Sequence, residues 1–146
     1  MLDISNTPLD LTAIILTYNE EKHIKRCILS LKNIAKKIVI VDSYSKDKTL
    51  EIAKKYNVKI YKNKFLHQSQ QVNWALSNIK FKTKWMLRID ADEYLTNDLK
   101  KNLIKSFNKI NKNISGIIIN RKVKFLDKEL NYGGTSPHKS LRIWKT

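Results

Sequence analysis

Three acidic residues, Asp90, Asp92 and Glu93, directly follow an apolar run in the stretch WMLRIDADEYL at positions 85–95. The run predicts a buried strand that delivers its acids to the carboxyl edge of a sheet, where open α/β sheets bind their ligands. In extended backbone, Asp90 and Asp92 point to one side while Ala91 points to the other. Two carboxylates on one side suit Mg²⁺ or Mn²⁺ that also takes oxygens from a substrate phosphate. The alternative is that these acids cap the following helix, because short acidic motifs are common.

Polar residues also follow two earlier apolar runs. The run over 11–16 leads into Thr17, Tyr18, Asn19 and Glu20, and the run over 37–41 leads into Asp42. If these runs are strands of one parallel sheet, their polar ends meet Asp90 and Asp92 in a single crevice. Glu20 also has a structural interpretation, because Asn19 suits the N-cap of the next helix and an acid suits its first turn. The sequence contains neither GxxxxGK[ST] nor GxGxxG, so neither a phosphate loop nor a dinucleotide fold is indicated.

Strands and helices alternate along the chain. We predict strands over 11–16, 37–41, 59–61, 85–89, 116–124 and 140–144, and helices around the apolar faces of 24–31, 50–56, 72–79 and 99–107. Asn97 is expected to cap the last of these helices. Single helices between strands imply right-handed crossovers and a mainly parallel, twisted sheet flanked by helices. The segments 108–113 and 131–137 are predicted loops, and the second is turn-rich and expected to face substrate.

Length and cysteine content narrow the class of protein. A chain of 146 residues can form one domain with a sizeable core. Its apolar runs are far shorter than the ~18 residues of a membrane span, and its start lacks the features of a signal peptide. Cys27 is the single cysteine, and its position on a helical apolar face predicts a small buried hydrophobe. These features predict a cytoplasmic protein.

The formal net charge of +16 is compatible with several anionic partners. Nucleic acid, an anionic membrane surface and phosphorylated substrates would all be attracted. However, 25 of the 29 basic residues are lysines, scattered among many Asn and Ile residues. A genome rich in A and T produces the same bias without selection for binding. The charge therefore identifies no partner by itself.

The order of three motifs resembles a known family. AIILTYNEEKHIKRCILSL, IVIVDSYSKDKTLEIA and WMLRIDADEYL follow one another as in bacterial family 2 glycosyltransferases, which have the GT-A fold, a Rossmann-like sheet flanked by helices. Within that family the chain is most similar to lipopolysaccharide-core β-glucosyltransferase-type enzymes. The resemblance extends from about Leu11 to Trp144, which is nearly the whole chain.

The resemblance implies a site and a reaction. It places Thr17, Tyr18, Asn19, Glu20 and Asn73 around a nucleotide-sugar, Asp42 against the base, and Asp90 with Asp92 in the Asp-x-Asp motif, Asp92 being the direct ligand of Mg²⁺ or Mn²⁺. The family transfers a sugar with inversion from a donor such as a UDP-sugar to a glycan or lipid-linked acceptor. A carboxylate deprotonates the acceptor hydroxyl, and the metal stabilises the departing diphosphate. Such a protein would contact the inner face of an anionic membrane peripherally.

Three departures from the family pattern limit these expectations. Relatives end the second strand with Asp-Asp-Gly-Ser, where this chain has Asp42-Ser43-Tyr44-Ser45, and they carry a basic residue at the position of Val72. The chain ends at Thr146, just after a segment similar to the family's Leu-Arg-Leu-Phe strand, whereas the catalytic base of relatives lies further on. Asp127 and Glu129 are predicted to be turn and strand-edge charges, and His138 a surface loop residue. We therefore expect residues 1–146 to form one donor-binding domain without the acceptor part.

Three classes of function remain open at this level. The first is a glycosyltransferase donor domain, and the second is a catalytically silent module that binds nucleotide-sugars. The third, a basic nucleic-acid-binding domain, is the weakest, because the sequence has no zinc pattern and no RNA-binding aromatic signature.

Overall fold

Six strands of the chain build one mixed sheet in this computed structural model, which describes residues 7–125, 128–129 and 138–146. In chain order the elements are β1 (Leu9–Thr17), α1 (Ile24–Leu31), β2 (Ala35–Asp42), α2 (Thr49–Ala53), β3 (Lys59–Lys62), α3 (Gln68–Asn78), β4 (Trp85–Asp90), α4 (Asn97–Phe107), β5 (Gly116–Arg121), β6 (Lys124–Phe125), β7 (Lys128–Glu129) and β8 (His138–Lys145). The strand order is β3-β2-β1-β4-β8-β5, and β6 pairs with β7 separately. The four strands β3, β2, β1 and β4 are parallel, as predicted.

The strand β1 is central in the sheet, since it pairs with β2 on one side and β4 on the other, and both of its faces are covered. Every residue over 11–16 is buried, which matches the unbroken apolar run expected of a central parallel strand. The helices α1, α2 and α4 pack on one face of the sheet, and α3 packs on the other. On the first face, Trp85 and Phe107 meet edge to face with ring centroids 5.4 Å apart.

The carboxyl half of the sheet is antiparallel. The strand β8 pairs with both β4 and β5 in this sense, with Leu87 opposite Ile143. The predicted strand over 116–124 is interrupted, since β5 ends at Arg121 and β6 belongs to a separate hairpin. His138 pairs with Arg121 as the first residue of β8, so its prediction as a loop residue is wrong, although it is exposed. Asp127 and the segment 131–137 lie outside the described residues.

Two predicted helix caps are displaced. Asn19 does not cap α1, because its backbone is left-handed (φ 51°) and the helix begins only at Ile24, after His23. The second cap is shifted by one residue, since the Thr96 hydroxyl accepts the Leu99 N–H and α4 starts at Asn97. At α4 a side chain caps the helix, whereas α1 has no side-chain cap and the Glu20 carbonyl accepts the N–H groups of His23 and Ile24 instead.

Cys27 is fully buried under the sheet edge, as predicted. Burial raises the pKa of its thiol, and the nearby carboxylates of Glu93, Asp92 and Asp90 raise it further. The thiol therefore stays protonated, and its Sγ donates to the Asp90 carbonyl oxygen at 3.7 Å. A nucleophilic role needs the thiolate, so the environment of Cys27 favours packing.

Candidate functional site

The three strands predicted to carry the site lie side by side. Thr17, Asp42 and Asp90 are the last residues of β1, β2 and β4, and the register pairs Thr17 with Asp42 and Leu16 with Asp90. Backbone bonds continue beyond the strands, from the Ser43 N–H to the Thr17 carbonyl (2.9 Å) and from the Ala91 N–H to the Leu16 carbonyl (3.0 Å). Residues distant in sequence are thus brought together at the carboxyl edge of the sheet.

The loops after β1 and β2 are fastened to each other by hydrogen bonds. The Asn19 N–H donates to the Ser45 Oγ (2.9 Å), and the Lys46 N–H returns a bond to the Asn19 Oδ1 (2.8 Å). The Glu20 N–H donates to the Thr49 Oγ1 at 2.7 Å. The predicted residues Asn19 and Glu20 are therefore at the crevice, and their positions are fixed by the second loop.

Asp47 is a second junction between these loops, and the sequence did not single it out. Its Oδ2 accepts the Glu21 N–H (3.0 Å), and its Oδ1 accepts the N–H (2.9 Å) and hydroxyl of Thr49. Desolvation opposes ionisation, but the bonds from Thr49 and Glu21 outweigh it and hold the pKa of Asp47 below its ordinary value. An aspartate two residues before the first helical residue is the available signal, because it suits an Asx turn.

The remaining predicted residues of the first two strand ends differ in accessibility. Tyr18 is 54% exposed, whereas Thr17 is buried and its hydroxyl has no hydrogen-bond partner in the described part of the chain. Asp42 is fully buried, and its two carboxylate oxygens accept the N–H (3.0 Å) and the hydroxyl of Ser45. The Asp42 carboxylate thus holds the turn that follows β2, and its contact with a base stays a prediction.

Asp90 and Asp92 do not share one side of a strand, so that prediction is wrong. The strand β4 ends at Asp90, and the chain then turns, since the Glu93 N–H donates to the Asp90 carbonyl at 2.9 Å. The alternation of an extended chain therefore stops before Asp92. Asp92 is exposed in the turn, whereas Asp90 is partly buried.

Three arginines lie close to Asp90 and Glu93, the two partly buried acids of this segment. The Arg88 Nη2 lies 3.0 and 2.9 Å from the two Asp90 oxygens. The Arg142 Nη2 donates to the Glu93 Oε1 at 2.8 Å, and its Nη1 lies 3.7 Å from the Asp90 Oδ2. The Arg121 Nη1 approaches Glu93 at 3.7 Å. Asp90 and Glu93 therefore each have at least one positively charged partner.

The fourth arginine contacts the same segment. The Arg26 Nη2 donates to the Asp92 carbonyl at 3.1 Å, and its guanidinium lies 4.5 Å from the centre of the Tyr94 ring. All four arginines of a chain with 25 lysines therefore touch the segment 90–94. A guanidinium offers a planar fork of donors that a lysine ammonium cannot reproduce. The scarcity of arginine was the sequence signal that could have marked these positions.

The acid segment fits an incoming divalent ion better than a resident one. Among the described residues, no group of three or more His, Cys, Asp or Glu residues could hold a metal. Arg88 is bonded to both carboxylate oxygens of Asp90. The exposed carboxylate of Asp92 is therefore the more accessible of the two to a metal ion. Mg²⁺ and Mn²⁺ need few protein oxygens where substrate phosphates supply the others. The donor set thus suits an ion that arrives with a diphosphate.

The helix α3 contributes two glutamines that the sequence interpretation missed. The fully buried Gln71 donates to the Ser43 Oγ (2.9 Å) and the Asn63 carbonyl (3.1 Å), and the Gln68 Nε2 lies 3.3 Å from the Asp90 Oδ2. Asn73 is exposed two residues after Gln71, about 200° round the helix. Its predicted contact with a nucleotide-sugar stays a prediction.

Comparison with known proteins finds a family model that matches nearly the whole chain and relatives that match part of it. The family model described as glycosyl transferase family 2 matches residues 12–145. An uncharacterized glycosyltransferase of Rickettsia bellii is 40% identical over 89 residues, which cover 61% of this chain and 30% of the relative. The lipopolysaccharide core biosynthesis glycosyltransferase LpsC of Rhizobium meliloti is 35% identical over 98 residues, which cover 64% of this chain and 35% of that protein. The chain thus spans about a third of the length of these relatives.

Solved structures show the same fold. S. aureus TarS 1–349 in complex with UDP superposes with a TM-score of 0.60 and 21% identity, over 92% of this chain and 46% of TarS. The mannosyltransferase PcManGT of Pyrobaculum calidifontis, in complex with GDP-Man and Mn²⁺, gives a TM-score of 0.57 and 17% identity, over 78% of this chain and 36% of that one. The predicted GT-A fold is confirmed.

Proposed function

The chain belongs to glycosyl transferase family 2, and from that premise we propose that it binds a UDP-sugar and serves its transfer, with inversion, to a glycan or lipid-linked acceptor. The observation that carries the proposal is the meeting of the ends of β1, β2 and β4 at one edge of a GT-A sheet. Open α/β sheets bind ligands at this edge. The relatives solved with UDP and with GDP-Man support a nucleotide donor in a fold of this kind.

In this proposal the ends of β1 and β2 bind one part of the donor and the end of β4 binds the other. The fastened loops after β1 and β2 hold the nucleoside, with the exposed Tyr18 and the unpartnered Thr17 hydroxyl facing it. The turn after β4 presents Asp92 to the diphosphate. When bound there, Mg²⁺ or Mn²⁺ would stabilise the negative charge of the departing diphosphate. Asp90 is held by Arg88 and therefore serves to fix this turn.

Donor binding without sugar transfer is the alternative function. Inversion needs a carboxylate that is available to take the acceptor proton, yet arginines engage Asp90 and Glu93. General-base catalysis typically contributes ~10²–10⁴-fold, so a domain without a base binds its donor and turns over slowly.

Calorimetric titration with UDP tests donor binding. We expect UDP to bind more tightly with Mn²⁺ than without it, and an Asp92→Asn variant to lose this difference while keeping its fold. Asp98→Asn is the matched control, because Asp98 is an exposed acid in the first turn of α4. Equal UDP affinity with and without Mn²⁺, or a metal effect that survives in Asp92→Asn, would count against the proposed role of Asp92.

Release of UDP from UDP-glucose and related donors separates transfer from binding alone. Acceptor-stimulated turnover above ~1 s⁻¹, an ordinary enzyme rate, would establish a base within residues 1–146. Tight donor binding with only slow hydrolysis would establish the binding-only alternative.

Peripheral contact with an anionic membrane is a further part of the proposal. Among the described residues, no helix has the length and apolarity needed to cross a membrane. A cleft of about 590 Å³ between α1 and α4 is lined by Lys22, Lys25, Arg26 and Lys100 together with the exposed Leu29. Neutralising Lys25 and Lys100 should weaken sedimentation with anionic vesicles. The loss should be larger than that from neutralising Lys54 and Lys55, an exposed pair that directly follows α2. Equal losses would assign any binding to the diffuse net charge.

A further inference from the structure

One bulky side chain at the site adopts a backbone conformation that disfavours it. Tyr44, in the turn after β2, has φ 63°. The other two non-glycine residues with positive φ in the described chain are Asn19 and Asn33, and asparagine tolerates this region. A tyrosine does not, and residues held in such conformations concentrate at ligand sites.

The turn around Tyr44 is held from both sides. Asp42 accepts both the N–H and the hydroxyl of Ser45, which closes the turn beneath the tyrosine. The preceding residue, Ser43, is bonded to the Thr17 carbonyl through its N–H and to the Gln71 side chain through its hydroxyl. The backbone of Tyr44 is therefore fixed by its neighbours, and its unusual φ is not relieved by movement of the loop.

The ring of Tyr44 is presented to solvent at the edge of the sheet. It is 54% exposed, although an aromatic ring ordinarily contributes to a core. The Lys62 Nζ lies 6.0 Å from the ring centre, and Lys62 ends β3 at the same carboxyl edge. The ring thus belongs to the residue two positions after the predicted base contact Asp42, and its cationic neighbour lies at the end of a strand rather than in the core.

We propose that Tyr44 is a stacking platform for the base of the nucleotide donor, and that its strained turn holds the ring in place for this contact. The inference rests on the proposed function, since it specifies how that donor site recognises its ligand. Stacking on an aromatic ring suits any nucleobase, the uracil of UDP included, because it needs an aromatic face and no particular pattern of hydrogen bonds. The buried Asp42 then supports the platform from below and leaves base contact to the tyrosine.

The test compares UDP with pyrophosphate, which shares the diphosphate and lacks the base, in calorimetric titrations with Mn²⁺. Tyr44→Ala and Tyr44→Gly should each weaken UDP binding by about tenfold, and leave the affinity for pyrophosphate unchanged. Tyr44→Phe is the matched control that keeps the ring, and it should bind UDP like the wild type.

Thermal unfolding distinguishes stacking from a structural role. Tyr44→Gly removes the left-handed strain, so its Tm should not fall below that of Tyr44→Ala even though both lose UDP affinity. UDP binding that is equal in Tyr44→Ala and the wild type would overturn the inference and leave the proposed function intact. Equal losses for UDP and pyrophosphate would also overturn it. A wild-type chain that does not bind UDP at all would instead overturn the proposed function on which the inference depends.

Discussion

The two sides of the crevice are held together by different kinds of interaction. On the β1–β2 side, the loops 18–23 and 43–49 are joined by short hydrogen bonds from backbone N–H groups to Asn, Ser, Thr and Asp side chains. On the β4–β8 side, which comprises 88–94 and Arg142, guanidinium groups pair with carboxylates, as Arg142 does with Glu93 in the turn after β4. The first side needs polar groups of the right shape, whereas the second needs both signs of charge to be kept. Loss of one partner should therefore be more costly on the β4–β8 side.

Removal of Glu93 is expected to have the largest effect. Glu93→Ala leaves the guanidinium of Arg142, which is 7% exposed, without its closest carboxylate. Arg142 then keeps only the longer contact with the Asp90 Oδ2, at 3.7 Å, and Arg88 already engages that carboxylate, so the free energy of unfolding should fall by about 3 kcal/mol in urea titrations. The control Lys139→Ala, an exposed change on β8, should stay within about 0.5 kcal/mol of the wild type. Similar values for both variants would show that the ion pairs contribute no more than a surface charge.

Gln71→Ala should have the next largest effect, on the β1–β2 side. It removes the partner of Ser43, of the Asn63 carbonyl and of the Asn63 amide. Polar groups left unsatisfied in a buried place should lower the free energy of unfolding by about 2 kcal/mol. Ser77→Ala, an exposed change on the same helix, is the control. A loss for Gln71→Ala that exceeds the loss for Glu93→Ala would reverse the proposed difference between the two sides.

Cys27, which lies on α1 and contacts the Asp90 carbonyl of the β4–β8 side, should make the stability depend on pH in alkaline solution. Burial raises the pKa of this thiol above its value in the unfolded chain. The contribution of the protonated thiol to stability is therefore complete below pH ~8.5 and declines as the pH rises further. By pH 9 the expected loss is about 1 kcal/mol. Cys27→Ala should be less stable near pH 7, because it leaves a cavity, yet lose less stability between pH 7 and pH 9 than the wild type. Parallel curves would contradict the raised pKa.

The smallest effect is expected from Asp47 in acid. Its pKa is lowered in the folded chain, so its contribution is present above the unfolded value of ~3.9 and is lost as the pH falls through the folded value. Asp47→Asn should lower the free energy of unfolding by less than about 1 kcal/mol at pH 7 and flatten its decline below pH 4. An unchanged acid decline in this variant would assign that decline to other carboxylates.

The sequence predicted the β1–β2 side more completely than the β4–β8 side. The apolar runs and the polar residues after them were sufficient to predict parallel strands and a common edge, because both follow from local patterns. The turn at Ala91 was missed, since it depends on a bond to Leu16 from another strand. The pairing of Arg142 with Glu93 was missed because 49 residues separate them and β8 is antiparallel.

A residue that departs from the family pattern also marks an unusual backbone conformation, which the pattern of apolar and polar residues does not predict. Tyr44 stands where the related family has glycine, and the structure gives that position the left-handed backbone that glycine favours. The function of this position could not be read from the residue type alone, because the strain exists only in the folded turn. Asn73 shows the reverse, since a matching residue type on α3 faces away from Gln71.

The most direct test of the donor site is to follow backbone amide NMR signals while UDP and the diamagnetic ion Mg²⁺ are added to the ¹⁵N-labelled chain. We expect the shifted signals to cluster in three segments distant in sequence, 17–20, 42–45 and 90–93, and to saturate together with one dissociation constant. Residues of the α1–α4 cleft, such as Lys25, should shift little. Signals that move mainly in that cleft, or weakly along all lysine-rich surfaces, would contradict a nucleotide site at the ends of β1, β2 and β4.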